Sequence, residues 1–86
     1  MSETLQNQVA AVWAKALGVK NVHPDDNFFA LGGHSLLGVK VMAEIQARTG
    51  IEEELRISDL MEYPTFGAFC AHLESLQAAA EESGSI

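Results

Sequence analysis

Three stretches of this chain carry apolar side chains at three- and four-residue steps, and no stretch makes a convincing strand. The first stripe is Leu5, Val9, Val12, Trp13 and Ala16/Leu17; the second is Leu37, Val41, Met42 and Ile45; the third is Phe66, Phe69, Leu73 and Leu76. Such spacing puts each set on one face of a helix. Gly18 and Gly50 stand where the first two helices would stop. The segment "SDLMEY" suits a short helix, with Ser58 able to cap its first turn and Pro64 just beyond its end. Thr65 can then cap the last helix. The predicted fold is all-α, a small four-helix bundle of three longer helices and one short one. Residues 1–78 form the domain, and residues 79–86, within the polar stretch "QAAAEESGSI", are expected to fray into a tail or linker.

Eighty-six residues make one small domain, expected as a monomer, with a radius of gyration of roughly 12 Å. With 48% hydrophobic residues the chain has material for a core. A deep water-excluding catalytic site is hard to build at this size, which weighs against an enzyme. Twelve acidic side chains against five basic ones give a net charge of −7, and Lys15, Lys20, Lys40, Arg48 and Arg56 form no cluster. Nucleic acid is therefore not an expected partner. The lone Cys70 excludes an internal disulfide and a cysteine-rich zinc site. The N-terminus lacks the form of a signal peptide, and no apolar run reaches the ~20 residues of a membrane span. These features point to a soluble, cytoplasmic protein with no membrane association. Met1 and the polar end suit a free-standing protein, although an excised domain would read the same way.

Residues 19–34, "VKNVHPDDNFFALGGH", form a connection long enough to suggest a functional loop, with Phe28, Phe29 and Leu31 expected to pin it to the core. The helix that follows, Ser35 to about Thr49, carries more apolar surface than one covered face requires. Leu36, Val39 and Ala43 make a second stripe turned away from the first. Either the helix is central and both stripes are buried, or the second is a docking surface beside Ser35.

Ser35 invites three readings. A hydrolase elbow of the form Gly-x-Ser-x-Gly fails, because Leu37 holds the second glycine position and Gly38 comes one residue late. His23, His34 and His72 share no metal-ligand spacing, so no metal site is assigned. Ser35 is otherwise a helix N-cap, with Gly32 and Gly33 permitting the turn, or an attachment point whose phosphate the helix start would favour.

"DNFFALGGHSLLGVKVMAEI" resembles the core motif of peptidyl carrier (thiolation) domains of nonribosomal peptide synthetases, through Asp26, Phe28, Phe29, Leu31, Gly32, Gly33, His34, Ser35 and Leu36. The similarity continues through "ISDLMEYPT" and "AHLESL" and so covers nearly the whole chain. It implies an acyl-carrier-like bundle that is a carrier and not a catalyst. Ser35, flanked by Gly33, His34 and Leu36, would take 4'-phosphopantetheine from coenzyme A by a phosphopantetheinyl transferase, and the arm's thiol would hold an aminoacyl, aryl or peptidyl group. Adenylation domains and condensation, other tailoring or thioesterase domains are the implied partners, with Leu36, Val39, Ala43, Met61 and Tyr63 on the face they contact. His34 favours peptidyl carriers over the acyl carriers of polyketide synthesis, which remain an alternative, as does an unmodified helical interaction module. The chain departs from the family at "GIEEELRISDL", which is longer and more acidic than the usual link. Glu52, Glu53 and Glu54 are read as a solvated loop or turn, or else as a partner-selecting segment. Cys70 is expected to pack as a small apolar residue, and Trp13 to belong to the core.

Overall fold

The computed structural model describes residues 4–51 and 54–84, the last six of these by backbone alone. Four helices follow in order: α1 Leu5–Leu17, α2 Ser35–Thr49, α3 Ile57–Glu62 and α4 Phe66–Gly84. No strand occurs among the described residues, and one isolated bridge joins Asn27 to Thr65. The Cα radius of gyration is 12.5 Å, close to the value expected from length.

The predicted stripes make the core. Val9, Val12 and Trp13 of α1, Val41, Met42 and Ile45 of α2, Leu60 of α3, and Phe66, Phe69, Cys70 and Leu73 of α4 are all buried. Trp13 is fully buried at the centre, its indole meeting the rings of Phe28, Phe66 and Phe69 with centroids 5.2, 5.4 and 5.8 Å away. Its Nε1 has no hydrogen-bond partner among the described residues. Leaving such a donor unpaired costs about 1–3 kcal/mol, which the three ring contacts, at about 0.5–1.5 kcal/mol each, are sufficient to offset.

The helix ends follow local chemistry, with departures from expectation at two places. Thr4 accepts a hydrogen bond from the Asn7 N–H to start α1, and Gly18 and Gly50 end α1 and α2 at φ 72° and 71°. Positive φ there is why glycine suits both stops. Ser58 does not cap α3. The helix begins one residue earlier, because the Asp59 carboxylate in its first turn accepts the Arg56 N–H at 2.8 Å. α4 continues through Gly84, past residue 78 where the domain was expected to end, along a run of Ala and Glu residues of high helix propensity. Cys70 packs as expected, and burial, followed by the charge of Glu74, pushes its thiol up from 9.0 to about 12.

Candidate functional site

The loop between α1 and α2 is stitched to the start of α4. The Phe28 N–H donates to Pro64 C=O at 2.8 Å, Phe66 N–H to Asp26 C=O at 2.8 Å, and Gly67 N–H to Pro24 C=O at 2.9 Å. Two polar side chains shape the turns between these bonds. Asp26 Oδ2 accepts from the His23 N–H at 2.8 Å, and Asn27 Oδ1 accepts from Phe29 and Ala30 N–H at 2.9 and 3.1 Å. Phe28 is fully buried and Phe29 packs against the core, as expected, whereas Leu31 is half-buried outside that cluster.

The two glycines before the histidine have different tasks. Gly32 takes φ +104°, a conformation that L side chains rarely adopt. Gly33 instead makes room: a Cβ there would run into the Phe28 ring and stand 2.7 Å from its carbonyl oxygen. The buried aromatic ring thus sets the path by which the chain enters α2. Periodicity carries no sign of this contact, because it depends on how the loop folds back.

Ser35 is not the cap of α2. His34 is the N-cap, extended at φ −145°, and its Nδ1 accepts from the Leu37 N–H at 3.3 Å. Ser35 is the first helical residue, exposed, and its hydroxyl takes no hydrogen bond among the described residues. The Ser35 and Leu36 amides likewise have no partner there, as helix geometry dictates for a first turn. No acidic side chain lies in that turn. Unpaired amides and the positive end of the helix dipole together favour a phosphate at this place, so the residues present fit a phosphodiester on Ser35. Among the described residues, the two histidine ring hydrogen bonds near the helix starts go elsewhere, from Leu37 N–H to His34 and between His72 and Asp59.

Around Ser35 the second apolar stripe of α2 is open. Leu36 is 67% exposed and Val39 53%, and Ala43 is exposed too, while Val41, Met42 and Ile45 are buried and Leu37 is half-buried. Gly38 lies between the two faces and is itself buried. A Cβ on it would strike Ile57 Cδ1 and approach Leu60 Cδ2 to 3.3 Å, so its lack of a side chain is what lets α3 seat against α2. Sequence reading treated Gly38 only as a misplaced elbow glycine. The periodicity of α2 carries no sign of this role, because it depends on where α3 comes to rest. On α3, Met61, the residue after the buried Leu60, is 63% exposed. Tyr63 behaves otherwise: it is half-buried and stacked on His72, with ring centroids 4.5 Å apart. Glu54 is exposed and lies 3.7 Å from Arg56, an open ion pair of little energetic weight. Glu52 and Glu53 lie outside the described residues.

The family described as "Phosphopantetheine attachment site" matches residues 7–73. The chain belongs to that family. Its relatives and structural neighbours make it a peptidyl carrier domain. Surfactin synthase subunit 2 of Bacillus subtilis is 39% identical over 71 residues, which are 83% of this chain and 2% of that protein. The domain therefore spans a small fraction of the curated synthetases it matches. Among solved structures, BlmI, a type-II acyl-carrier protein from Streptomyces verticillus involved in bleomycin biosynthesis, shares 32% identity and a TM-score of 0.73 over 83% of each chain. A peptidyl carrier protein solved with the phosphopantetheine transferase Sfp and coenzyme A gives a TM-score of 0.75 at 28% identity, over 87% of this chain and 95% of the other. These neighbours share the all-α bundle described above.

Proposed function

We propose that this chain carries an aminoacyl, aryl or peptidyl intermediate as a thioester on a phosphopantetheine arm attached to Ser35, in nonribosomal peptide synthesis. The observation that carries the reading is the Ser35 hydroxyl: exposed, without a hydrogen bond among the described residues, and set on the open first turn of α2. On attachment the Ser35 oxygen would form a new bond to phosphorus as the pyrophosphate bond of coenzyme A breaks, the hydroxyl losing its proton and adenosine 3',5'-bisphosphate leaving. The unpaired Ser35 and Leu36 amides would be available to the phosphate, and His34, by capping Leu37, keeps the Ser35 side chain free of that duty. The bound arm supplies a thiol at its far end, on which acyl groups are held. The chain itself performs no chemistry on them.

A phosphopantetheinyl transferase, an adenylation domain, and condensation, tailoring or thioesterase domains are the partners of this reading. Leu36, Val39, Ala43 and Met61 offer them an apolar edge beside Ser35, of the sort that protein partners cover. A second reading, a type-II acyl carrier of a polyketide or hybrid pathway, draws support from the likeness to BlmI. Loading by amino-acid-specific adenylation enzymes, compared with loading by malonyl transferases, separates the two.

Incubation with coenzyme A and Sfp, followed by intact mass measurement, tests the attachment. The expected product gains one phosphopantetheine group, and Ser35→Ala gains none. A gain that survives Ser35→Ala would move the attachment elsewhere, and no gain on the unaltered protein would remove the carrier reading.

A further inference from the structure

α3 has six residues, too few to hold a helix by backbone bonds alone, so its place is set by what grips it. On one side it rests on the Gly38 notch of α2 through Ile57 and Leu60. On the other, one side chain of α4 reaches both ends of it. His72 Nε2 lies 3.2 Å from Asp59 Oδ1, while the other oxygen of Asp59 accepts the Arg56 N–H that opens the helix. An ionised carboxylate only accepts, so Nε2 is the donor. The same imidazole stacks on Tyr63, the C-cap residue of α3, at 4.5 Å and an interplanar angle of 17°. The contact is largely shielded, with His72 and Asp59 side chains 18% and 27% exposed.

We infer that His72 is a positioning residue: by bracketing α3 at Asp59 and Tyr63 it sets where the exposed Met61 of α3 is presented to a phosphopantetheinyl transferase, relative to the open Leu36 and Val39 of α2. The docking half of this inference rests on the carrier reading. It assigns Tyr63 to the bracket, its ring turned to His72, and leaves Met61 as the side chain of α3 that meets a partner. Among the described residues no hydrogen bond or ring contact joins His72, Asp59 or Tyr63 to Ser35, so the attachment point and the placing of α3 are separately adjustable.

The chain has three methionines, and the two in described positions make a matched pair of reporters: Met42 is buried in α2 and Met61 is exposed on α3. Methyl NMR of protein labelled at methionine is expected to show Met61 shifted in His72→Ala with Met42 unmoved. In His72→Phe, which keeps a ring against Tyr63 and loses the bond to Asp59, a smaller Met61 shift is expected. With Sfp and coenzyme A, KM for the carrier should rise about fivefold in His72→Ala with kcat unchanged. Comparable shifts of Met42 and Met61 in both variants would overturn the inference, since the role would then be general stability. So would an unmoved Met61, or attachment to His72→Ala with unaltered KM. Failure of attachment on the unaltered protein would instead remove the carrier reading and the docking half with it, while the methyl shifts still decide whether His72 places α3.

Discussion

The segment that enters α2 and the segment that follows it are secured in different ways. Before α2, the loop buries Phe28 completely and exchanges three backbone hydrogen bonds with the start of α4. After α2, Gln46 ties down the link by donating to Ile51 C=O and accepting from Leu55 N–H, and α3 then depends on the Gly38 notch and the largely shielded His72 contacts. The serine is thus delivered by buried, mutually dependent contacts, and α3 with its exposed Met61 by a few replaceable side chains. On the proposed carrier reading, the attachment point stays in one place while the exposed edge can be changed without disturbing it.

The comparison is tested most severely at Phe28. Phe28→Ala removes a fully buried ring that meets Trp13 and defines the path over Gly33, and a loss of about 3–5 kcal/mol in urea unfolding is expected. A loss below about 1 kcal/mol would show that the entry loop is no better anchored than α3. Gly38→Ala should cost less, about 1–3 kcal/mol, because the new methyl drives Ile57 away and α3 can shift. Unchanged stability together with an unmoved Met61 methyl signal would mean the notch is looser than its geometry indicates.

Cys70 gives a pH test of the core that both segments share. Its folded-state thiol is raised to about 12 from 9.0, chiefly by burial, so the unfolded chain releases the proton first as pH rises. The contribution to stability is fully present below pH 9, declines as pH rises above that value, and is lost as pH passes about 12. Denaturant midpoints measured upward from neutral pH should fall in this range, and less so for Cys70→Ala. The same burial should keep the thiol unreactive towards alkylating reagents at neutral pH until the protein unfolds.

The smallest effect on stability is expected on the open stripe. Leu36→Glu or Val39→Glu should change unfolding free energy by no more than about 0.5 kcal/mol and leave the helical circular dichroism intact. Attachment by Sfp should nonetheless slow by about tenfold, as loss of a central apolar contact does at other interfaces. Loss of the helical signal in either variant would place the residue in the core and undo the distinction between the two faces of α2.

Much of this architecture is legible one segment at a time. The periodicity of Val9, Val12 and Trp13, of Val41, Met42 and Ile45, and of Phe66, Phe69 and Leu73 identifies the buried faces, because a helix turns at a fixed rate whatever surrounds it. The surplus stripe of Leu36, Val39 and Ala43 was legible for the same reason, and it is exposed. Helix ends were read less well. Serine, aspartate and histidine can all accept a backbone N–H, and His34 and Asp59 do so where Ser35 and Ser58 were equally plausible. Glycine was harder again, since its reason differs at each position. Gly18 and Gly50 follow from local chain reversal, but Gly33 answers to Phe28 and Gly38 to Ile57 and Leu60.

The order of helices, their apolar faces and the presence of a serine at a glycine-rich helix entry were therefore determined by the sequence itself. Each depends on residues within a turn or two of one another. Tertiary structure alone decided that Ser35 is left without a capping role, that Gly38 seats α3, and that His72 holds Asp59 and Tyr63. The last two depend on contacts between separate helices, and the first on which side chain reaches the Leu37 N–H once the loop is folded. A close approach of that kind leaves no period in the chain and becomes visible only when the helices meet.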